Sequence, residues 1–235
     1  MFARVLEEVD AAIKEMDGDV HFFRGHSDAS WQLSPSLARL THKPNLPILE
    51  AVTYYDFVTR AGSLLSTDDT GWNIIFAMQH HGLPTRLLDW TTTFAVALYF
   101  AVQKGGKDAA VWVLDPFALN KVAWMSETLP APTDVETNYV EAFVVSEKVF
   151  PANVLAISPI RLGPRVSSQR AAFTVHADLE KPLETLYPES VRKIVIPAAE
   201  MDEAKQFLRL AGISEYSLFP DLDGLARELL LEHYS

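Results

Sequence analysis

Apolar residues recur along several separate segments with the three-to-four-residue spacing of amphipathic helices. Residues 1–17 interleave charged and apolar positions and end at Gly18, which is typical of a helix with one face on a core. Gly82 and Pro84 follow a further apolar segment as a stop signal, and Asp221 stands where an N-cap is expected. The pattern predicts helices over residues 1–18, 48–65, 71–81, 92–102, 200–211 and 221–232.

Short apolar runs bounded by glycine or proline predict strands. The run at residues 109–114 is the clearest, because it is apolar throughout and Asp115 and Pro116 end it. Similar runs predict further strands at residues 21–25, 153–157, 172–176 and 191–196. Helices and strands mix without regular alternation, so we expect an α+β fold and not a doubly wound parallel sheet.

The length of 235 residues suits one domain. We expect residues 1–235 to form that domain, with residues 1–18 as an N-terminal helix. Residues 213–235 are expected to form a helical segment packed on the same domain.

The composition adds exclusions. The chain has no cysteine, which rules out disulfides, thiolate metal ligands and a cysteine nucleophile. Its 20 basic and 31 acidic residues give a formal net charge of −11, which argues against broad electrostatic capture of nucleic acid or anionic membrane. A small basic pocket within an acidic surface remains compatible with that charge.

The expected location is the cytoplasm. The first residues lack the basic flank and apolar run of a secretory signal. The most apolar stretch, residues 94–102, is about half of the ~20 residues that a membrane helix needs. We therefore expect no membrane partner.

Polar residues concentrate in two stretches, residues 23–31 and residues 79–92. Each stretch contains an arginine, Arg24 or Arg86, beside apolar residues of core character. The planar guanidinium suits phosphate or carboxylate, so the two arginines together suggest an anion pocket. The alternative is a buried ion pair with Asp28 or Asp89, which would only order a loop.

The histidines give a weaker signal. His80 and His81 are adjacent and point in different directions on a helix, so we expect no metal site. His26, His80 and Asp89 with the two arginines suggest a phosphoester hydrolase as an alternative function. Trp90, between Asp89 and a threonine, is the tryptophan that we expect at a pocket wall.

The order of these motifs resembles the FRG domain family. The residues that carry the resemblance are Phe23-Arg24-Gly25, Trp31, Leu33-Ser34-Pro35-Ser36, the run from Gln79 to Thr91, Gln169, Phe173 to His176, and Leu218 to Ala226. The resemblance covers nearly the whole chain. The family name by itself implies no reaction.

A remoter resemblance is to the ADP-ribosyltransferase fold, which implies a split mixed or antiparallel sheet with surrounding helices. It is carried by Arg24-Gly25, Thr91-Thr92-Thr93 and the helix segment Ala97-Leu98-Tyr99-Phe100-Ala101. The resemblance implies NAD as substrate and no metal. The implied NAD-binding residues are Arg24, Gly25, His26, Arg86, Trp90, Thr91, Thr92 and Tyr99.

The implied catalytic residues are Arg24, Asp89 and Gln169. In the transferase fold a third element supplies a glutamate that stabilises positive charge on the ribose. The corresponding segment here, residues 165–173, offers Gln169 instead. Asp89 is the candidate that would supply the missing negative charge.

The resemblance therefore implies an ADP-ribosyltransferase-like enzyme, such as a bacterial toxin or phage-defence effector. Its expected partners are NAD, a macromolecular target of unknown kind, and an antitoxin or regulatory protein. A non-catalytic module of the same fold that binds a nucleotide or a protein is the alternative, motivated by the missing glutamate. The phosphoester hydrolase stays open beside it.

Overall fold

One six-stranded sheet organises the molecule. The computed structural model describes residues 2–16, 18–66, 71–158 and 170–234. The strands lie in the order β4-β5-β2-β1-β3-β6, and every neighbouring pair is antiparallel. The strands are β1 Phe22–His26, β2 Leu87–Thr91, β3 Ala109–Leu114, β4 Val154–Ile157, β5 Ala171–His176 and β6 Val191–Ile196.

Helices cover both faces of this sheet. The described helices are α1 Phe2–Glu15, α2 Leu46–Ala61, α3 Trp72–His80, α4 Phe94–Val102, α5 Pro116–Trp124, α6 Leu183–Leu186, α7 Met201–Leu210, α8 Glu215–Leu218 and α9 Leu222–Tyr234. A π-helical turn spans Val140–Val144. The antiparallel sheet with these helices confirms the predicted α+β class. Among the described residues, no helix is both long and apolar enough to cross a bilayer.

The structure contains elements that the sequence pattern does not predict. Strand β2 is one of them, because the pattern favours a polar motif there, although four of its five side chains are buried. The short helix α6 and the π-helical turn are further ones. Helix α5 is also not predicted. Its N-cap is Asp115, whose carboxylate accepts hydrogen bonds from the backbone N–H groups of Phe117 and Ala118 at 2.9 Å. Proline at the first helical position is favourable there.

The sheet is split between its two central strands. Strands β1 and β3 pair along five positions, and β2 and β5 pair along five others. Strands β1 and β2 pair at one position, Phe23 opposite Thr91. Beyond this pair the two strands diverge, and the two halves of the sheet separate.

Helix α4 packs on β1 at the point of divergence. A Cβ atom on Gly25 would lie 1.9 Å from the carbonyl oxygen of Ala97 and 2.7 Å from the backbone nitrogen of Ala101. Glycine is therefore required here because another backbone occupies the space of a side chain. Val96, Ala97, Leu98 and Ala101 join the apolar core between this sheet face and helices α1 and α7.

The C-terminal residues continue this core through Leu218. Asp221 caps α9, as predicted, because its Oδ1 accepts a hydrogen bond from the Gly224 N–H at 2.7 Å. Gly224 itself lies against Phe219, since a Cβ there would come within 1.9 Å of the Phe219 carbonyl oxygen. The Phe-Pro-Asp-Leu-Asp-Gly motif thus has a structural explanation in the start of α9.

We expect Gly25→Ala to lower the free energy of unfolding by about 3 kcal/mol, because the added methyl forces α4 away from β1. Urea unfolding followed by circular dichroism measures this change. Gly105→Ala is the matched control, because a Cβ on Gly105 meets no atom within 4 Å. An equal loss in the two variants would contradict the close-packing explanation.

Candidate functional site

A cleft of about 490 Å³ lies over the split in the sheet. Strands β1 and β2 form its floor, while helices α3 and α4 and strand β5 form its walls. The residues that line it are Phe23, Arg24, Gly25, Ser27, Trp31, Phe76, Gln79, His80, Gly82, Asp89, Trp90, Thr91, Val96, Ala97, Phe100, Ala171 and Phe173. Apolar and aromatic walls with a few polar groups are typical of a small-molecule site.

Arg24 bridges the gap between the diverging strands. Its Nη1 donates to the carbonyl oxygen of Asp89 at 2.5 Å. If the two strands stayed paired here, a backbone N–H would donate to this oxygen instead. Its Nε donates to Nε2 of His26 at 3.1 Å. These two acceptors are neutral, and the Asp89 carboxylate is 3.8 Å from Nη1.

The charge of Arg24 is consequently only partly compensated. Its side chain is 18% exposed, and burial lowers the pKa of its guanidinium. The group still stays protonated, because an arginine loses its proton only far above neutral pH. A partly buried, weakly compensated cation at the floor of a cleft favours an anionic ligand.

Arg86 occupies a different environment. Its Nε donates to Oε2 of Glu50 at 2.7 Å, its guanidinium lies 4.3 Å from the centre of the Phe143 ring, and both charged side chains are buried. Tyr139 donates its hydroxyl proton to Glu50 as well. Arg86 thus does not line the cleft, and the expected two-arginine pocket contains Arg24 alone. The ion pair weighed as the alternative exists, but its acid is Glu50 and not Asp28 or Asp89.

His26 lies beneath Arg24 with 3% of its surface exposed. Burial and the nearby positive charge of Arg24 lower the pKa of His26 to about 3. Its Nε2 accepts the Arg24 hydrogen bond, so a neutral imidazole orients the guanidinium. This arrangement leaves His26 poorly suited to the acid or base role of the hydrolase alternative.

Trp90 and His176 belong to a buried polar chain on the same sheet face as Arg24. Nε1–H of Trp90 donates to Oγ1 of Thr174 at 3.0 Å, and that oxygen lies 2.9 Å from Nε2 of His176. Burial, with the charge of Arg24, lowers the pKa of His176 to about 3. Trp90 also lines the cleft, as expected from the sequence.

The threonine turn is divided between two roles. Thr91 lines the cleft, and its Oγ1 accepts a hydrogen bond from the Thr93 N–H at 3.2 Å just before α4. Thr92 is exposed, and its backbone N–H donates to the carbonyl oxygen of Arg170 at 3.1 Å. The turn therefore ties β2 to the start of β5.

Tyr99 does not line the cleft. Its hydroxyl donates to Glu215 at the start of α8, and burial together with this carboxylate raises the pKa of the Tyr99 hydroxyl. The next residue, Phe100, reaches the cleft instead. Tyr99 holds the C-terminal segment against α4.

The remaining expected residues are Asp89 and Gln169. Asp89 lines the cleft with 54% of its side chain exposed, and Nε2 of Gln79 donates to its Oδ2 at 2.8 Å. Gln169 lies outside the described residues. Within the described ranges, no group of three or more His, Cys, Asp or Glu side chains is placed to hold a metal ion.

Several lining residues were not selected from the sequence. Phe76, Phe100 and Phe173 lie on three different elements, so no local pattern distinguishes them from other core aromatic residues. Trp31 lines the cleft with 47% of its surface exposed, whereas its residue type alone favours a core position. Gln79 begins the polar stretch of residues 79–92, and its place in that stretch is the signal that the sequence offers for it.

Comparison with protein-family models matches residues 20–110 to the FRG domain. The resemblance to this family is confirmed over that part of the chain, which contains β1, α3, β2 and α4 and most of the cleft. No curated protein matches the sequence, and no solved structure matches it either.

Removing the guanidinium of Arg86 leaves Glu50 buried without its cation. We expect Arg86→Met to lower the free energy of unfolding by about 4 kcal/mol at pH 7. The loss should shrink as the pH falls, because burial already raises the pKa of Glu50 and the native variant then takes up a proton. Urea unfolding at pH 7 and pH 5 measures both effects. Arg60→Met, at a surface pair with Asp56, is the control, and an equal loss there would contradict a special role for the buried pair.

The two buried histidines predict a pH dependence of stability. Each has a pKa near 3 in the folded chain and about 6.5 when unfolded, so only the unfolded state gains a proton between those values. Unfolding free energy should therefore fall by roughly 1.4 kcal/mol per pH unit for each histidine as the pH drops below 6.5. We expect His26→Gln and His176→Gln each to reduce this slope.

Urea unfolding at pH 7, 6 and 5 checks the expected slopes. His233→Gln, at a histidine whose side chain is 65% exposed, is the control and should leave the slope unchanged. A wild-type slope retained in both buried-site variants would show that these imidazoles are charged in the native state.

Proposed function

We propose, from the FRG-domain match and the site geometry, that this protein is an NAD-dependent ADP-ribosyltransferase-like enzyme. The observation that carries the proposal is Arg24, a weakly compensated guanidinium held across the gap between β1 and β2 at the floor of an aromatic cleft. In ADP-ribosyltransferases an arginine or histidine of the first strand anchors NAD. Arg24 lies on the first strand of this chain, β1, which supports the same role here.

The cleft chemistry suits a dinucleotide. The guanidinium of Arg24 can hold the pyrophosphate through charge-assisted hydrogen bonds. Phe76, Phe100 and Phe173 offer ring surfaces to the planar nicotinamide or adenine, and Trp31 adds one at the exposed edge. The cavity volume lies within the range of ordinary ligand sites.

The proposed reaction breaks the bond between C1′ of the ribose and the nicotinamide nitrogen. The bonding electron pair leaves with nicotinamide, and positive charge develops on the ribose. The exposed Asp89 carboxylate is the group proposed to stabilise that charge. A nucleophile of the acceptor then bonds to C1′ and releases its proton to solvent.

The other predicted residues take supporting parts in this proposal. His26 orients Arg24, and Thr91 lines the site while it fixes the start of α4. Gln169 keeps its predicted role toward the ribose. Three of the predicted residues stabilise the fold around the site and do not contact the ligand in this proposal. They are Arg86, Thr92 and Tyr99, whose partners are Glu50, Arg170 and Glu215 respectively.

A non-catalytic module that binds a nucleotide is the second candidate function. The observation that favours it is Gln169, an amide where the transferase pattern has a glutamate. Saturable NAD binding without nicotinamide release would support this candidate. The toxin or phage-defence role belongs to the proposal as well, with a cytoplasmic site of action and an antitoxin or regulatory protein as partner.

We expect the wild-type protein to release nicotinamide from NAD and to transfer label from NAD to a component of cell lysate. Arg24→Ala should reduce this release by about a hundredfold or more, because the loss of one oriented charged donor costs a factor of that order. Chromatographic measurement of free nicotinamide gives the rate.

Arg60→Ala is the control, since Arg60 pairs with Asp56 on the surface of α2. Folding of each variant is checked by thermal unfolding. No NAD consumption and no label transfer by folded wild-type protein would refute the enzyme proposal. Equal rates for Arg24→Ala and wild type would refute the assignment of Arg24.

A further inference from the structure

Gln79 lies within a chain of hydrogen bonds on the α3 side of the cleft. The backbone N–H of Leu87 donates to Oγ1 of Thr85 at 3.0 Å. Oγ1 of Thr85 donates to Oε1 of Gln79 at 2.6 Å, and Nε2 of Gln79 donates to Oδ2 of Asp89 at 2.8 Å. The chain thus runs from the backbone of β2 to the carboxylate at the cleft.

The direction of this chain is fixed at its carboxylate end. A carboxylate oxygen accepts hydrogen bonds, so the NH₂ group of Gln79 faces Asp89 and its amide oxygen faces Thr85. That amide oxygen can only accept, so the Thr85 hydroxyl donates to it. Asp89 receives a donor that suits an ionised carboxylate.

Thr85 is a rigid anchor for the chain. It is 1% exposed, its N–H donates to Oγ of Ser36 at 3.2 Å, and its carbonyl accepts from the Leu37 N–H at 3.2 Å. The segment around Ser36 thus fixes the residue that orients Gln79. This contact also gives a physical role to the Ser-Pro-Ser motif.

The same chain explains the spacing between Asp89 and Arg24. An arginine and a carboxylate that are free to pair approach to about 2.8 Å. Here Oδ2 of Asp89 lies 3.8 Å from Nη1 of Arg24, although the Asp89 carbonyl already accepts from that nitrogen. The same oxygen, Oδ2 of Asp89, accepts the hydrogen bond from Nε2 of Gln79 at 2.8 Å.

We propose that Gln79, oriented by Thr85, is a positioning residue that prevents Asp89 from closing onto Arg24. Arg24 then remains available to an anionic ligand group, and the Asp89 carboxylate faces the cleft. The inference rests on the proposed function in taking this cleft as the site of a pyrophosphate-containing ligand. Without Gln79, the two charges would pair and the anion would compete with Asp89 for Arg24.

The test is a double-variant cycle with inorganic pyrophosphate as the probe, measured by isothermal titration calorimetry. The proteins are wild type, Gln79→Met, Asp89→Asn and the double variant. We expect Gln79→Met to weaken binding by about tenfold in the wild-type background and by less than about twofold in the Asp89→Asn background. If Gln79→Met weakened pyrophosphate binding only by disturbing the fold, the loss of affinity would be equal in both backgrounds.

Matched variants refine the test. Thr85→Val removes the hydroxyl and should weaken binding in the same direction, whereas Thr85→Ser should retain it. Gln206→Met changes an exposed glutamine on α7 and should leave binding unchanged. Crystals of Gln79→Met should show the Asp89 carboxylate in direct contact with Arg24.

Three results would overturn the proposal. They are unchanged binding in Gln79→Met, an equal loss in both backgrounds, and no pyrophosphate binding by folded wild-type protein at millimolar concentration. If the double-variant cycle gives the expected result but the protein does not cleave NAD, the proposed enzyme activity is refuted and the role of Gln79 is supported. The two proposals therefore fail on different measurements.

Discussion

The close approach of α4 to β1 at Gly25 is the contact on which the site depends. The helix backbone occupies the space of a side chain, so Ala97 lies directly on the strand. This approach sets α4 over the place where β1 and β2 part, and it brings Phe100 and Ala97 to the cleft wall. A bulkier residue at position 25 would move the wall and the floor apart. Arg24 thus places a charge at the cleft, and the adjacent Gly25 permits the helix packing that forms the cleft wall.

The two arginines of the motifs, Arg24 and Arg86, have different environments because their partners differ. The Arg86 guanidinium donates to the buried Glu50 carboxylate, which also accepts from the Tyr139 hydroxyl, so the charge of Arg86 is compensated within the core. Arg24 meets an imidazole and a backbone carbonyl, which are neutral acceptors. A partly buried charge that is only weakly compensated is costly, and an anionic ligand would reduce that cost. The difference between the arginines therefore separates a residue that stabilises the fold from a residue suited to binding.

Much of the polar motif between Gln79 and Thr91 serves to hold Asp89 and Arg24 in place. Gln79 donates to the Asp89 carboxylate, Thr85 orients Gln79, and Thr91 fixes the start of α4. Such hydrogen-bond chains strengthen one another in a medium of low dielectric constant. In this arrangement Oδ2 of Asp89 lies 3.8 Å from Nη1 of Arg24 while it accepts the hydrogen bond from Gln79.

The sequence by itself determined the α+β class, the helix ends at Gly82 and Asp221, the FRG-type motif and the exclusion of cysteine chemistry. Periodicity, caps and stop residues are local, so a linear pattern records them. Only the tertiary structure decided that Arg86 pairs with Glu50, 36 residues away, and that Arg24 reaches Asp89, 65 residues away. It also decided that Phe100 and not Tyr99 faces the cleft. These outcomes depend on which strands diverge and which helix lies over them. A local sequence pattern cannot predict such contacts, because they join residues that are far apart in the chain.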